Sequence, residues 1–258
     1  MISIKNLVEF KDTFSAGFPF NHVIIDNFFT PEFAKSLEKE FPPYESEDWH
    51  YYCNPLENKK TLNNWNIFGS QTYKCFTYLC SDEFVNTLSG MVGVRLFPDI
   101  GLHGGGLHIH ESGGNLNPHL DYNIHPKLGL QRKLNLLVYL SESLRPEFGG
   151  QLGFWEHDSL ENQPGKLVKE IDPIFNRCVI FDTTQNSWHG ISRVLKMQQN
   201  VFRKSIAVYY LCQPEEGTTA RYKALFAPRD DQKHCAEIKS LIEKRSSLCS
   251  SSSVYRTC

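Results

Sequence analysis

From about residue 94 onward the chain breaks into short extended runs, and this punctuation limits its fold more than any other feature. Gly104-Gly105-Gly106, Gly113-Gly114 and Gly149-Gly150 interrupt it, and Pro98, Pro118, Pro126, Pro146, Pro164 and Pro173 add further breaks. Between them, segments 106–110, 133–140, 152–155, 178–182 and 204–211 read as strands. Many short strands with turn signals between them argue for a β-sandwich or barrel rather than a βαβ fold.

The first third is different. Val23, Ile24 and Ile25 read as a strand that leads into a helix, for which Thr30 suits the N-cap and Pro31 the first helical position. Phe33, Leu37 and Phe41 share one face of that helix, and Pro42-Pro43 stops it. Residues 44–70 carry Trp49, Tyr51, Tyr52, Trp65 and Phe68, and read either as a packed surface loop or as the wall or lid of a pocket. A second helix is expected from Ser81, burying Phe84, Leu88 and Met91, and a closing helix over 230–244 with Ile238, Leu241 and Ile242. The serine-rich stretch 246–253 is expected to be disordered. These readings divide the chain into one domain over 1–228, with helical support over 1–93 and a β core over 94–212, and a C-terminal appendage of helix and serine-rich tail over 229–258.

With 258 residues, 40% of them hydrophobic, the chain is long enough for one large core. A net charge of −2 carries no electrostatic footprint for nucleic acid or an anionic membrane. Residues 1–6 lack the basic flank and apolar run of a signal peptide, and no apolar run is long enough to span a bilayer. The eight cysteines show no metal-site or redox spacing. Reduced thiols and a cytoplasmic location are therefore expected, with Cys249 and Cys258 as exposed thiols.

Three groups of residues carry chemistry. In His119-Leu120-Asp121 the first and third side chains point to the same side of an extended segment, so both can reach one metal. His189, in Trp188-His189-Gly190, follows the apolar run Val179-Ile180-Phe181 that can deliver it from a neighbouring strand. Two imidazoles and a carboxylate make the facial set that leaves positions open on non-heme Fe(II), although each residue alone also suits an ordinary core position. On the strand that starts at Arg203, Arg203, Ser205, Ala207 and Tyr209 share one face, and Lys204, Ile206, Val208 and Tyr210 the other. A buried arginine there needs an anion, either a core carboxylate or a bound acid gripped bidentately. Similarly, Asn135, Leu137 and Tyr139 face one side of their strand while Leu134, Leu136, Val138 and Leu140 face the other. Arg132 and Lys133, at the entry of that strand, read as a solvated edge.

These motifs, in this order, resemble the Fe(II)/2-oxoglutarate-dependent oxygenase superfamily, in its prolyl 4-hydroxylase-like branch. The resemblance rests on His119-Leu120-Asp121, the strand from Arg132 to Leu140, Glu147-Phe148-Gly149-Gly150-Gln151-Leu152, His189-Gly190 and Arg203-Lys204-Ser205. The lead-in from Pro19 to Phe29 is also similar. It implies a double-stranded β-helix (jelly-roll) core with flanking helices. It also implies iron held by His119, Asp121 and His189, and the distal carboxylate of 2-oxoglutarate on Arg203, assisted by Ser205 and Tyr139, with Asn135 near the keto-acid end. The implied reaction consumes O2 and 2-oxoglutarate, with ascorbate as a candidate reductant, and hydroxylates a C–H bond of a prolyl or other protein residue, or of a small metabolite, releasing succinate and CO2. Asp121 favours hydroxylation over halogenation, which needs that coordination position for halide. The family often has a tyrosine on the strand before the His-x-Asp pair. Here His108-Ile109-His110 stands in its place, and His110 is a candidate contact for co-substrate or substrate. The competing readings are a cupin-like metal isomerase, a dioxygenase that needs no 2-oxoglutarate, and a non-catalytic binding module.

Overall fold

The computed structural model describes residues 7–249 and 252–256; the opening residues 1–6, Ser250, Ser251 and Cys258, all invoked above, lie outside the described residues. Its strands are β1 (His22–Ile25), β2 (His50–Asn54), β3 (Glu57–Leu62), β4 (Phe97–Pro98), β5 (Gly106–His110), β6 (Asn115–Leu116) and β7 (His119–Leu120). They continue with β8 (Gln131–Tyr139), β9 (Leu152–Asp158), β10 (Gln163–Ile171), β11 (Cys178–Asp182), β12 (His189–Ile191), β13 (Arg203–Cys212) and β14 (Leu225–Phe226). The helices are α1 (Lys11–Ser15), α2 (Pro31–Lys39), α3 (Ser70–Leu79), α4 (Asp82–Val92) and α5 (Ala236–Ser246).

Two antiparallel sheets form. The larger runs β1-β11-β8-β13-β5-β3-β2, with β4 on β13 and β6 on β3; the smaller runs β10-β9-β12-β7-β14. This is the double-stranded β-helix implied by the resemblance. Strands β8 and β13 pair at its centre, Ser205 opposite Tyr139 and Tyr209 opposite Asn135. Their alternation sorts the interior. Leu134, Leu136, Val138, Leu140, Ile206, Val208 and Tyr210 pack with Phe33, Leu37, Phe76, Leu88 and Met91 of the helices, while the opposite faces look toward the smaller sheet.

The helices form for local reasons as well as for burial. In α4 the Ser81 hydroxyl accepts a hydrogen bond from the Phe84 amide (3.3 Å) and Gly93 ends the helix at φ 73°. In α2, Pro31 opens the helix as expected, but it closes at Lys39, before Pro42, and the Thr30 side chain makes no cap bond. The unpredicted α3 buries Thr72, Cys75, Phe76 and Leu79, a helical spacing obscured by its polar members.

The N-terminal third is more than helical support. Within 44–70, read as a loop, β2 and β3 make a hairpin that extends the larger sheet, with Thr61 opposite His108. Strand β3 is Glu-Asn-Lys-Lys-Thr-Leu, and it lacks an apolar alternation because it lines a polar cavity rather than a core. The partly exposed β10 also escaped the pattern, pairing with β9 at the rim of the smaller sheet. The expected closing helix forms, starting later than read, over Ala236–Ser246; beyond it Arg256 bridges Cys53 on β2 while the Tyr255 carbonyl accepts from Asn54 Nδ2 (3.3 Å). The expectation of uniformly reduced thiols also needs correction. Among the described residues six cysteines are free, but Cys53 is disulfide-bonded.

Candidate active site

The inner faces of the two sheets enclose a cavity of about 540 Å³. His119, Asp121, His189, Arg203, Ser205, Asn135, His108 and His110 all line it; of the predicted site residues, Tyr139 alone stands behind the lining, under Arg203.

The smaller sheet supplies the triad. His119 on β7 pairs directly with His189 on β12, and Asp121 follows β7 at the expected two-residue spacing. One ligand atom from each residue lies within 4.8 Å of the others, and all three side chains are buried. Each imidazole is oriented by the backbone two residues before it: His119 Nδ1 lies 3.0 Å from the Asn117 carbonyl and His189 Nδ1 lies 2.8 Å from the Ser187 carbonyl. A carbonyl only accepts, so each Nδ1 carries the proton and each Nε2 keeps its lone pair. Those Nε2 atoms stand 3.7 and 3.8 Å from the two Asp121 carboxylate oxygens. Burial pushes the His189 pKa down to about 4, with the neighbouring His119 adding to the shift, so the ring is neutral at pH 7. Gly190 is required by close approach, because a Cβ there would sit 2.7 Å from the Asn117 carbonyl oxygen.

Burial alone would raise the Asp121 pKa, but the nearby Arg132 charge leads the effects that overcome it and hold the carboxyl well below its usual range. Arg132 was read as a solvated edge, and that reading is wrong. The side chain is 1% exposed, with its guanidinium 3.5 Å from the Tyr122 ring centre and 3.4 Å from that of Tyr209. Its Nη2 donates to the His103 carbonyl (2.7 Å), and Nη1 lies 3.4 Å from Asp121 Oδ1. A register shift explains the miss: Leu134 pairs with Tyr210 but Arg132 with Leu211, leaving Lys133 as an extra residue. That bulge turns Arg132 to the cavity, against the simple alternation. Lys133 is not a solvated edge either, since its Nζ pairs with the buried Asp182 at 2.7 Å. Arg221, which sequence reasoning also missed, donates to the Asp121 carbonyl through Nε and Nη2 (3.0 and 2.7 Å).

The larger sheet supplies the other end. Arg203 is 4% exposed, and its Nε donates to the Gly150 carbonyl (2.9 Å). Gly150 holds φ 81° and leaves no room for a Cβ beside Arg203 Cδ. The guanidinium lies 4.9 Å from the Tyr139 ring centre, and among the described residues no carboxylate pairs with it. Nearby, Ser205 Oγ and Asn135 Oδ1 are buried without hydrogen-bond partners; the Asn135 amide nitrogen donates to the Tyr209 hydroxyl (3.1 Å). Opposite this strand, His110 pairs in register with Arg203 and His108 with Ser205. Burial, with Lys59 and Arg203 adding to it, pushes the His108 pKa down to about 3, and His110 is likewise held well below the ordinary value.

The triad geometry fits a divalent metal: two lone-pair nitrogens and an ionised carboxylate converge, with an Asp121 oxygen that makes no hydrogen bond. The Arg203 corner fits an acid, offering a buried guanidinium and an unpartnered hydroxyl.

Comparisons with known proteins agree with this geometry. Residues 105–211 match the family model described as 2OG-Fe(II) oxygenase superfamily. The chain is 27% identical over 194 residues to mouse prolyl 3-hydroxylase OGFOD1, an alignment that covers 74% of this chain but only 33% of that protein, so the chain spans about a third of its curated relative. Among solved structures, a Pseudomonas putida prolyl-4-hydroxylase shares the fold at TM-score 0.58 and 13% identity, covering 81% of this chain and all of that one. A Trichoplax adhaerens prolyl hydroxylase in complex with a hypoxia inducible factor peptide fragment matches at 0.56 and 18%, over 80% of this chain and 88% of that one. HygX from Streptomyces hygroscopicus, with nickel, 2-oxoglutarate and hygromycin B, matches at 0.52 and 15%, over 82% and 88%.

Proposed function

We propose that this chain, whose residues 105–211 match the 2OG-Fe(II) oxygenase superfamily model and whose fold is that of a prolyl-4-hydroxylase, is an Fe(II)- and 2-oxoglutarate-dependent hydroxylase. The observation that carries the reading is one cavity with a His-Asp-His cluster on one sheet and an acid-seeking arginine on the other. His119, Asp121 and His189 would hold the iron. Arg203 would grip the distal carboxylate of 2-oxoglutarate, with Ser205 donating a second hydrogen bond and Tyr139 supporting the guanidinium. Asn135 and His110 border the space between these two ends.

When bound, iron with 2-oxoglutarate and O2 supplies the oxidising power to hydroxylate a C–H bond, with succinate and CO2 as co-products. The chain's own residues orient and exclude. The backbone carbonyls of Asn117 and Ser187 hold both imidazoles by Nδ1 and so turn each Nε2 toward the metal position. Arg132 keeps Asp121 ionised and aimed. Apolar Leu137, Leu152 and Phe181 line the interior and limit water. A cupin-like isomerase or a 2-oxoglutarate-independent dioxygenase would have no use for an unpaired buried Arg203.

The substrate belongs to the proposal as well. OGFOD1 supports a prolyl residue of a protein, and the peptide-bound hydroxylase shows that a protein of this fold takes a peptide; HygX shows that another takes a small molecule. We retain both classes and place the enzyme in the cytoplasm, a reading supported by its six free cysteines and opposed by the Cys53 disulfide. No helix among the described residues is long and apolar enough to cross a membrane. The test is spectroscopic. Anaerobic Fe(II) plus 2-oxoglutarate should give a weak visible charge-transfer band, and the absence of both band and succinate formation refutes the reading.

A further inference from the structure

The cavity extends beyond the triad to a third wall made from outside the family-matched residues. Arg245 comes from α5, Tyr255 from the C-terminal turn, Lys59 and Glu57 from β3, and Lys223 from the segment before β14. These side chains form one cluster. Arg245 Nη2 lies 2.5 Å from Glu57 Oε1, and Lys59 Nζ lies 3.3 Å from Glu57 Oε2. Lys223 Nζ donates to the Tyr255 hydroxyl (3.2 Å), and the Arg245 guanidinium stands 4.4 Å from the Tyr255 ring centre. The cluster reaches the metal ligands through Phe226, whose ring is 4.9 Å from Arg245 and stacked on His119 at 5.2 Å.

Two observations show that the cluster has capacity to spare. Arg245 is 7% exposed, yet its Nε and Nη1 have no hydrogen-bond partner. Secondly, the charges do not balance. Lys59, Arg132, Arg203, Lys223 and Arg245 line the cavity against only Glu57 and Asp121, a surplus of three positive charges in a chain whose net charge is −2. A divalent metal and the dianionic co-substrate cancel one another, so the surplus would persist in the loaded enzyme. Such a field in a low-dielectric cleft favours an anion strongly.

We propose that Arg245, Lys223 and Lys59 form a carboxylate-binding subsite and that the substrate hydroxylated here is an acid, its carboxylate held on this wall while the reacting carbon faces the triad. The inference rests on the hydroxylase reading above. Glu57 already shows, within the chain, the group that this cluster takes. The carboxylate can belong to an acidic side chain of a peptide or to a small organic acid, since a guanidinium and an ammonium recognise the two alike.

The experiment uses the full chain loaded with Ni(II) and 2-oxoglutarate, titrated calorimetrically with matched probes. One arm contains proline hexapeptides with glutamate or glutamine at each flanking position; the other contains small carboxylic acids and their primary amides. Acids should bind at least tenfold more tightly than their amides in one arm, and that arm identifies the source. The half-buried Lys223→Met variant and the paired Glu57→Gln/Arg245→Met variant should each erase the acid preference, with the 2-oxoglutarate charge-transfer band of the Fe(II) protein reporting intact loading. Equal binding of acids and amides, no acid binding in either arm, or a preference that survives both variants would overturn the subsite. Absence of both the charge-transfer band and succinate formation in the unaltered protein would instead overturn the hydroxylase reading itself.

Discussion

Arg132 and Arg203 occupy opposite ends of the same strand pair, β8 with β13, and both guanidiniums are buried against the one cavity. Arg132 finds its counter-charge within the protein: two tyrosine faces, a carbonyl and the Asp121 carboxylate hold the guanidinium, and only its Nε lacks a partner. Arg203 has one carbonyl and one tyrosine and no protein carboxylate among the described residues. An internally satisfied charge is structural and orients what it touches. A buried charge left short of an anion is a receptor for one.

The comparison breaks most decisively at the carboxylate between them. Asp121→Ala should abolish the charge-transfer band and succinate formation and, by stranding Arg132, lower the stability of the metal-free protein by about 3 kcal/mol in denaturant melts. His119→Ala should remove the same band, without that stability loss from Arg132. Next in size, Arg132→Met should cost about 3 kcal/mol of stability because Asp121 is then buried without its cation. It should also weaken metal binding by about 10–100-fold in a competition titration, as for other groups that orient a ligand. If Arg132→Met leaves metal affinity untouched, its role at Asp121 is packing alone.

Arg203→Met sharpens the contrast by its opposite pattern. Replacing a buried charge that lacks a protein anion should leave metal-free stability unchanged or raise it by about 1 kcal/mol, while raising the 2-oxoglutarate concentration needed for turnover by about 100-fold, from the loss of a buried charge-assisted contact. A melt that drops by as much as for Arg132→Met would mean that Arg203 is structural too. A separate effect, shared by both ends of the cavity, concerns pH. His108, at about 3, His189, at about 4, and His110 are held below the ordinary 6.5, chiefly by burial. Unfolded imidazoles take up protons as pH falls through 6.5 while these do not, so the unfolded state binds more protons in that window. The stability they contribute is full above pH 6.5 and declines as pH falls toward 4, which melting curves of the metal-free protein from pH 7.5 to 4.5 would register; a flat profile contradicts the burial of these rings.

Much of this was legible in the sequence because period-two alternation reports a strand with two different neighbours. The two faces of β8 and β13 were sorted correctly; the structure packs the apolar one on the helices and turns the other to the cavity. Strands β5 and β11 appear with the expected bounds. Alternation fails where both neighbours are polar, as in β3, or where a bulge reverses the parity, as at Lys133. The role of Arg132 was hidden for that reason.

The sequence by itself determined a sandwich or barrel of short strands, the order of the triad and the face on which Arg203, Ser205 and Asn135 stand, because these depend on local periodicity and spacing; the jelly roll came from the resemblance of its motifs. Only the tertiary structure decided that Arg132 holds Asp121, that the β2–β3 hairpin lines the cavity, and that Arg245 and Tyr255 from the chain's far end complete its wall. Those pairings join residues distant along the chain, and a buried charge chooses its partner by proximity in space, which no local pattern records.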